Sequence, residues 1–422
     1  IIPLIKDKTG DSSSLNNYRA ITLIPVISKL FEHIILNIGE EYLNSDDRQF
    51  RYKKHLGCGN AIFAMRSTMD YFNDRGSTVF TAALDVSKAY DRVQHFKLFS
   101  ALLRASMPKN IVCLLADWYS KLFVAVRWNN SYSNLFKVGS GVRQGSSLSP
   151  ALFNVFINKI IIDLKILELG CYINRTWIGC ILYADDIILL SASLTSLQVM
   201  LNKVCTTLND LKLSINCTKS TCVAFGPHYK KELPNMSFGG QLLMWSKSMR
   251  YLGINFLTGL HSICDIDYIS RKFYCASNCV FAYSNSLSEL LQLYLQQSFC
   301  LPILQYVSGS LTLNESQLKS LNVCWNTVFR KIFQFNRWES VSSFINGLGY
   351  LNFTHMYYLD VFKLMSGMMC SANRVLNSLV SVYIRGNFFC QQLALFGINL
   401  NMPLYAIRQL VYQHFNNHVI VL

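Results

Sequence analysis

Three aspartates occupy positions in the sequence where phosphate chemistry could use them. Asp85 ends the apolar run 79–84, and Asp185 and Asp186 lie at the tip of a predicted hairpin over residues 181–190. Mg²⁺ takes a few carboxylate oxygens and keeps several waters, so two or three aspartates suffice as its protein ligands. Strand ends and tight turns would keep them rigid and reachable. Such a site could stabilise the attacking and leaving oxygens of a phosphoryl transfer.

The hairpin tip has an unusual composition for a turn. Two-residue hairpin turns favour Asn-Gly or Asp-Gly, because positive φ is needed there. Here two adjacent like charges are flanked by fully apolar strands. That arrangement is unfavourable without a counter-ion, and a metal would supply one. On these residues alone, an ordinary solvent-exposed turn remains the alternative.

The elements that must position these aspartates mix strands and helices up to about residue 260. Apolar periodicity predicts helices over 27–38, 96–126 and 194–212, and the pair Ser149-Pro150 is expected to cap and open another. Residues 178–191 form two short apolar runs and predict a β-hairpin. From about residue 262 the pattern becomes mostly helical. The order predicts an α+β fold with an appended helical region.

Net charge favours a polyanionic partner. Lys and Arg number 39 against 24 Asp and Glu, which gives a formal net charge of +15. Nucleic acid is the commonest large polyanion, although a solvated basic face or an anionic membrane surface would also account for the charge.

Cysteine spacing and hydropathy argue against a zinc-stabilised protein and against a membrane-spanning one. The 14 cysteines form no CxxC pair and no Cys/His cluster with zinc-finger spacing, so we expect free thiols in a reducing compartment and no structural zinc site. Apolar residues make up 51% of the chain. No run of 18 apolar residues escapes charged or strongly polar interruption, so we expect no membrane span.

Several sequence blocks accompany the aspartates in a fixed order. They are 17–23 (NYRAITL), 84–91 (LDVSKAYD), 141–150 (GVRQGSSLSP), 183–186 (YADD), 213–220 (LSINCTKS) and 251–253 (YLG). In these blocks the chain resembles the reverse transcriptases of retrotransposons without long terminal repeats (non-LTR, LINE-type). The resemblance implies a right-hand polymerase with fingers and an antiparallel palm sheet in residues 1–260, a helical thumb in 261–345 and a helical C-terminal extension in 346–422.

The resemblance assigns roles residue by residue. Asp85, Asp185 and Asp186 match the catalytic aspartates that bind two Mg²⁺ ions, with Mn²⁺ as a possible substitute. Lys219 matches a catalytic lysine proposed to protonate the leaving pyrophosphate. The residues implied in nucleotide binding are Lys6, Arg19, Tyr90, Arg143, Gln144 and Gly145, and those of the primer grip are Tyr251, Leu252 and Gly253.

Among the nucleotide-binding residues, Tyr90 matches the aromatic that crowds the sugar 2′ position and so favours deoxynucleotides; a core tyrosine is the alternative. Arg19 corresponds to a triphosphate contact that Lys6 could assist. Gln144 could hydrogen-bond the sugar or the template strand, while Gly145 allows close backbone approach.

The implied activity is that of an RNA-directed DNA polymerase. Its partners would be an RNA template, a DNA primer or target and deoxynucleoside triphosphates, with no membrane. The implied location is intracellular, in the nucleus and in a cytoplasmic ribonucleoprotein. The template is expected to be the element's own RNA, copied at a nicked chromosomal site. Two alternatives remain: a catalytically inactive nucleic-acid-binding remnant, and a group II intron-type reverse transcriptase.

Two departures from the family pattern concern the fingers. Ala20 replaces the proline that usually follows the arginine. The block 50–55 (FRYKKH) is an atypical version of a segment that family members usually write with glycines. Both put template handling in doubt more than chemistry.

A nuclease activity is not expected from this chain. The chain opens on Ile1 inside the first block and closes on the apolar run 419–422, so both ends are expected to be cut from something longer. After residue 345 the sequence holds Asp360 as its sole Asp and no Glu, whereas a metal nuclease needs several ligands close together. We expect primer extension on RNA but intact supercoiled DNA in Mg²⁺. Plasmid nicking that is lost in a variant beyond residue 345 would contradict this.

Overall fold

A computed structural model describes the backbone of residues 1–420 and their side chains, apart from those of residues 387, 388 and 418–420. Val421 and Leu422, the end of the apolar C-terminal run, lie outside the described residues.

The strands follow one another in this order: β1 Ile2–Ile5, β2 Tyr18–Ile21, β3 Val79–Asp85, β4 Phe123–Val124, β5 Arg127–Trp128, β6 Ser131–Tyr132, β7 Phe136–Lys137, β8 Tyr172–Ile173, β9 Thr176–Trp177, β10 Cys180–Tyr183, β11 Asp186–Ser191, β12 Thr221–Phe225, β13 Met236–Phe238, β14 Gln241–Leu243, β15 Ser248–Tyr251, β16 Ile254–Leu257 and β17 Ile263–Cys264.

The helices are α1 Val26–Ile38, α2 Cys58–Asn73, α3 His95–Arg104, α4 Lys109–Ser120, α5 Ser149–Lys165, α6 Leu194–Leu211, α7 Ile266–Ser284, α8 Glu289–Phe299, α9 Leu301–Gln305, α10 Glu315–Ile332, α11 Ser342–Gly347, α12 Phe353–Met369, α13 Arg374–Tyr383, α14 Asn387–Phe396 and α15 Leu404–Ile420. Short 3₁₀ turns occur at Leu15–Asn17 and Ser308–Ser310.

The central sheet has the strand order β10–β11–β3–β12, with each neighbouring pair antiparallel. Successive side chains of a strand point to opposite faces, and here both faces are buried. Ile188 and Val223 belong to one buried cluster, whereas Leu189 and Cys222 belong to the other. Burial on both sides explains why these strands are continuous apolar runs instead of alternating ones.

Each face of the sheet has its own cover. We call the face that carries Leu189 and Cys222 the first face. Phe153 of α5 and Leu201 of α6 pack against it, and the last buried residue of this cluster is Leu243. On the second face, which carries Ile188 and Val223, the cluster includes Phe63 of α2 and continues through the helical region as far as Phe415. The helices beyond residue 345 therefore share a core with the sheet.

The predicted α+β class, with an antiparallel sheet followed by a helical region, is confirmed. Two local predictions were wrong. Residues 96–126 form α3, α4 and then β4, because the chain breaks at Ser106, which has φ +65°, and Pro108 precedes α4. Ser149 is not the cap of α5 but its first residue; the Oγ of Ser146 accepts hydrogen bonds from the Leu148 and Ser149 amides at 3.2 and 3.1 Å.

The boundaries at 260 and 345 stay predictions. β15, β16 and β17 form a separate three-stranded sheet, and its last strand lies after residue 260.

Within residues 1–420, no helix combines the length and the hydropathy that crossing a bilayer requires. All 14 cysteines are free thiols.

Candidate active site

The register of the central sheet places two of the predicted aspartates face to face. Asp186 at the start of β11 is the Cα partner of Asp85 at the end of β3, and it also pairs with Tyr183 to close the hairpin. Ala184 and Asp185 form the turn, and Ala184 has φ +56°, an uncommon value for a residue with a side chain. Its amide donates to Oε1 of Gln49 at 3.2 Å. The turn is thus held in place from outside the hairpin.

The backbone of Asp85 is fixed on both sides by the loop that carries Lys219. The Asp85 amide donates to Oγ of Ser220 at 3.1 Å, and its carbonyl accepts from the Asn216 amide at 2.8 Å. These bonds bring the predicted lysine to the end of β3. The structure therefore gathers Asp85, Asp185, Asp186 and Lys219 at one end of the sheet.

Burial disfavours the charged form of two of the carboxylates, Asp186 and Asp85. Burial raises the pKa of Asp186 to about 7, and the neighbouring carboxylates of Asp185 and Asp85 add to the rise. Burial also raises the pKa of Asp85, an effect that Lys219 and Lys6 oppose. Like charges directly opposite one another on paired strands are destabilising.

The N-terminal hairpin brings cations towards the same place. Burial lowers the pKa of Lys6, and the nearby charges of Lys88, Arg19 and Lys219 lower it further. Lys6 Nζ donates to the carbonyl of Asn16 at 2.9 Å. Arg19 lies on β2, opposite Leu4, and is exposed. These cations form a group next to the aspartates, where a polyphosphate would be stabilised.

The chemistry of this donor set fits a divalent cation. Carboxylates that are crowded, partly buried and mutually repelling are stabilised by a hard ion with oxygen preference. Among the described residues, no three His, Cys, Asp or Glu side chains lie close enough together to bind a metal ion in their present positions. The assignment of Asp85, Asp185 and Asp186 to a metal site stays a prediction that their placement supports.

Gly145 lies where a side chain cannot be accommodated. Its φ is +118°, and an added Cβ would approach the carbonyl oxygen of Thr22 to 2.6 Å. The Thr22 amide donates to the Gln144 carbonyl at 2.7 Å, while Gln144 Nε2 donates to Oδ1 of Asp91 at 3.1 Å. The loop before α5 therefore runs against the segment that follows β2.

Arg143 does not have a free guanidinium. Its Nη2 donates to Oε1 of Glu32 at 2.8 Å, and its guanidinium carbon lies 4.5 Å from the centre of the Trp118 ring. Oε2 of Glu32 accepts from the Ser147 amide at 2.7 Å. Glu32 is 0% exposed and lies on α1, and sequence reasoning missed it. The pair anchors the loop that carries Gln144 and Gly145.

Tyr90 is stacked against the core. The centre of its ring lies 4.6 Å from the centre of the Phe153 ring, and the two ring planes make an angle of 17°. Burial raises the pKa of Tyr90 well above its usual value, and the neighbouring Tyr52 adds to the effect. The ring is only partly exposed. Its place after β3 suits a residue that limits space near the aspartates, and the core alternative remains.

The predicted primer grip is a tight turn tied to the helical region. Leu252 and Gly253 have φ of +44° and +87° and connect β15 to β16. The Tyr306 hydroxyl donates to the Leu252 carbonyl at 2.9 Å. Tyr251 is 2% exposed and so packs inward. A side-chain contact to a primer would therefore have to come from Leu252, with the backbone of the turn as the other contact.

Arg51 reaches the hairpin tip although no motif marked it. Its Nη1 lies 3.6 Å from Oδ1 of Asp185. It belongs to the block 50–55, whose departure from the family pattern was the one signal in the sequence.

Comparison of the chain with known proteins identifies the family to which it belongs. The reverse transcriptase (RNA-dependent DNA polymerase) family matches residues 5–256. The Pol polyprotein of the Drosophila melanogaster type-2 retrotransposable element R2DM is 26% identical over 257 residues, which is 59% of this chain and 24% of that protein. The RNA-directed DNA polymerase of the Drosophila melanogaster mobile element jockey is 24% identical and covers 71% of this chain and 34% of its own length.

A solved structure, apo telomerase from Candida tropicalis, aligns with a TM-score of 0.43 at 14% identity over 84% of this chain and 60% of its own. The matched region spans only about a quarter to a third of the R2DM and jockey proteins. The family match runs from the N-terminal hairpin to β16 and so contains the three aspartates, Lys219 and the loop of Gln144 and Gly145. The chain therefore belongs to the reverse transcriptase family, and R2 and jockey non-LTR retrotransposon proteins are among its relatives.

Proposed function

We propose that this chain extends a DNA primer on an RNA template, as the polymerase core of a non-LTR retrotransposon. The observation that carries the proposal is the register that sets Asp85 opposite Asp186, with Asp185 in the adjoining turn. These aspartates would hold the two Mg²⁺ ions, or Mn²⁺, which when bound supply positive charge to the attacking and leaving oxygens of a phosphoryl transfer.

The remaining residues position the nucleotide and its charge. Lys6 and Arg19 would bind the triphosphate from the N-terminal hairpin, where they share a strongly cationic neighbourhood with Lys219. Lys219 lies close enough to Asp85 to affect its pKa and would give a proton to the leaving pyrophosphate. Gln144, held by Asp91, would contact the sugar or the template strand.

The source of the template and the primer is a further part of the proposal. R2DM and jockey are named as mobile elements, so we propose that the template is the RNA of the element itself, copied at a nicked chromosomal site. Under this proposal the protein would act inside the cell, in the nucleus and in a cytoplasmic ribonucleoprotein. The 14 free thiols suit a reducing compartment.

Primer extension tests the proposal directly. A labelled DNA primer annealed to an RNA template is incubated with purified protein, Mg²⁺ and the four deoxynucleoside triphosphates. We expect products that lengthen with time and disappear on chelation of the metal. A protein that binds the primer–template but gives no products under these conditions would support the alternative of an inactive nucleic-acid-binding remnant.

Replacing Tyr90 tests sugar selection. Tyr90→Val removes a ring that now fills space above Phe153, so a 2′ hydroxyl should be better accommodated. We expect the preference for deoxynucleotides to fall by about tenfold, the loss of roughly 1.4 kcal/mol of discrimination. The measurement is the ratio of kcat/KM for dCTP and CTP.

A conservative variant controls for packing in this experiment. Tyr90→Phe keeps the ring and should retain the preference. An unchanged ratio in Tyr90→Val, with extension intact, would show that Tyr90 is a core residue.

A further inference from the structure

The segment before Arg51 fixes that residue beside the catalytic hairpin. The Leu182 amide donates to the Arg48 carbonyl at 2.8 Å, and the Phe50 amide donates to the Leu182 carbonyl at 3.0 Å. The Arg51 carbonyl accepts from Nδ2 of Asn154 at 2.8 Å. The backbone of segment 48–51 is thus bonded both to β10 and to α5, so the Arg51 side chain emerges at a set position near the tip.

The Arg51 side chain is held between two aromatic rings and one carboxylate. Its guanidinium carbon lies 4.7 Å from the centre of the Tyr52 ring and 5.4 Å from that of Tyr183. Its Nη1 lies 3.6 Å from Oδ1 of Asp185. Arg51 and Asp185 retain 36% and 40% of their side-chain exposure. Stacking on the rings and the ion pair both favour this orientation.

This arrangement has a consequence for any cation that approaches the aspartates. Arginine keeps its charge at every physiological pH, so Arg51 neutralises part of the negative charge that would attract a divalent ion. The carboxylate oxygen that faces the guanidinium is also one that a metal ion could coordinate, so the two cations share its negative charge. The guanidinium and the metal ion therefore compete for Asp185.

We propose that Arg51 is a resident counter-ion of Asp185 with which an incoming divalent cation must compete, so that this residue weakens metal binding at the polymerase site. The inference rests on the proposed function for the identity of the site, and it makes Arg51 a positioning residue. If displaced, the guanidinium is free to swing towards solvent, because more than a third of the side chain is already exposed.

Metal binding without nucleic acid or nucleotide tests this role. Mn²⁺ is titrated into the full chain, and free Mn²⁺ is measured by its electron paramagnetic resonance signal. Arg51→Gln should bind Mn²⁺ about fivefold more tightly or better, because a positive charge close to the site is removed. Arg51→Lys keeps the charge and should stay closer to wild type. Asp185→Asn in the Arg51→Gln background should abolish the gain.

Two further variants guard the interpretation. Arg75 is likewise stacked on a tyrosine, 3.6 Å from the centre of the Tyr71 ring, and is exposed, so Arg75→Gln is the matched control and should not change Mn²⁺ affinity. Arg51→Met keeps the aliphatic stem on the rings and replaces Arg51→Gln if that variant does not fold.

The outcomes separate this inference from the proposed function. Unchanged or weaker Mn²⁺ binding in both folded charge-removing variants, or an equal gain in Arg75→Gln, would overturn the role of Arg51 even if primer extension is normal. A gain confined to Arg51 variants and dependent on Asp185 would support it, even if wild-type protein failed to extend a primer and the proposed function fell.

Discussion

Asp185→Asn is expected to abolish nucleotide incorporation while RNA binding stays within a few-fold of wild type. The substitution keeps the shape of the side chain but removes a charge at the turn between β10 and β11, next to Asp186 and its pairing partner Asp85. A group that acts mainly in the transition state costs about 10²–10³-fold in rate or more when it is lost. A single carboxylate at the metal site is not expected to hold nucleic acid, so affinity for primer–template should change far less.

Single-turnover extension and a filter-binding titration measure the two quantities on the same preparation. Asp117→Asn provides a matched control, because Asp117 on α4 forms an exposed ion pair with Lys121, the residue after that helix, and has no part in the site. Extension by Asp185→Asn at even a tenth of the wild-type rate would contradict the assignment.

Glu32→Ala is expected to destabilise the folded protein strongly. The substitution leaves the Arg143 guanidinium, 9% exposed, without its partner, and it also removes the acceptor of the Ser147 amide. Breaking a buried ion pair from one side costs about 3–5 kcal/mol. The midpoint of urea unfolding should fall accordingly with an unchanged slope. In the folded fraction the loop of Gln144 and Gly145 should be less ordered, which would raise KM for deoxynucleotides.

A double replacement checks that the loss comes from an unpaired charge. Glu32→Leu combined with Arg143→Met removes both charges and keeps apolar volume, so most of the stability should return. Recovery of stability without recovery of KM would mean that the pair also orders the loop. If Glu32→Ala has wild-type stability, the buried ion pair is not an anchor.

The central sheet and its aspartates were predictable because the relevant signals are local. Apolar runs that end in Asp85 and flank Asp185 and Asp186 are strands of period two buried on both faces, and the turn between them is short. The helices 27–38 and 194–212 were predicted within one residue at each end, since their periodicity is strong. Pro108 was a local signal for a break between two helices, and the prediction of one helical stretch over 96–126 did not take it into account.

The ion pairs of the site were not predictable, because they join residues far apart in the chain. Glu32 and Arg143 are 111 residues apart, and nothing in an amphipathic helix tells a buried glutamate from a solvated one. Arg51 meets Asp185 only because the segment 48–50 runs along β10. The capping role of Ser146 was hidden by the better-known pattern of Ser149 followed by Pro150.

The two covers of the central sheet become available at different times during synthesis. A chain that emerges at about 5–20 residues per second can close the first face once Leu243 has left the ribosome. On the second face α2 already covers the sheet, but the cluster that it begins needs residues up to Phe415, which arrive roughly ten seconds or more later. During that interval the nascent protein exposes the apolar surface on and around α2 that the later helices bury. Its yield in a cell should therefore depend on chaperones that shield such surfaces.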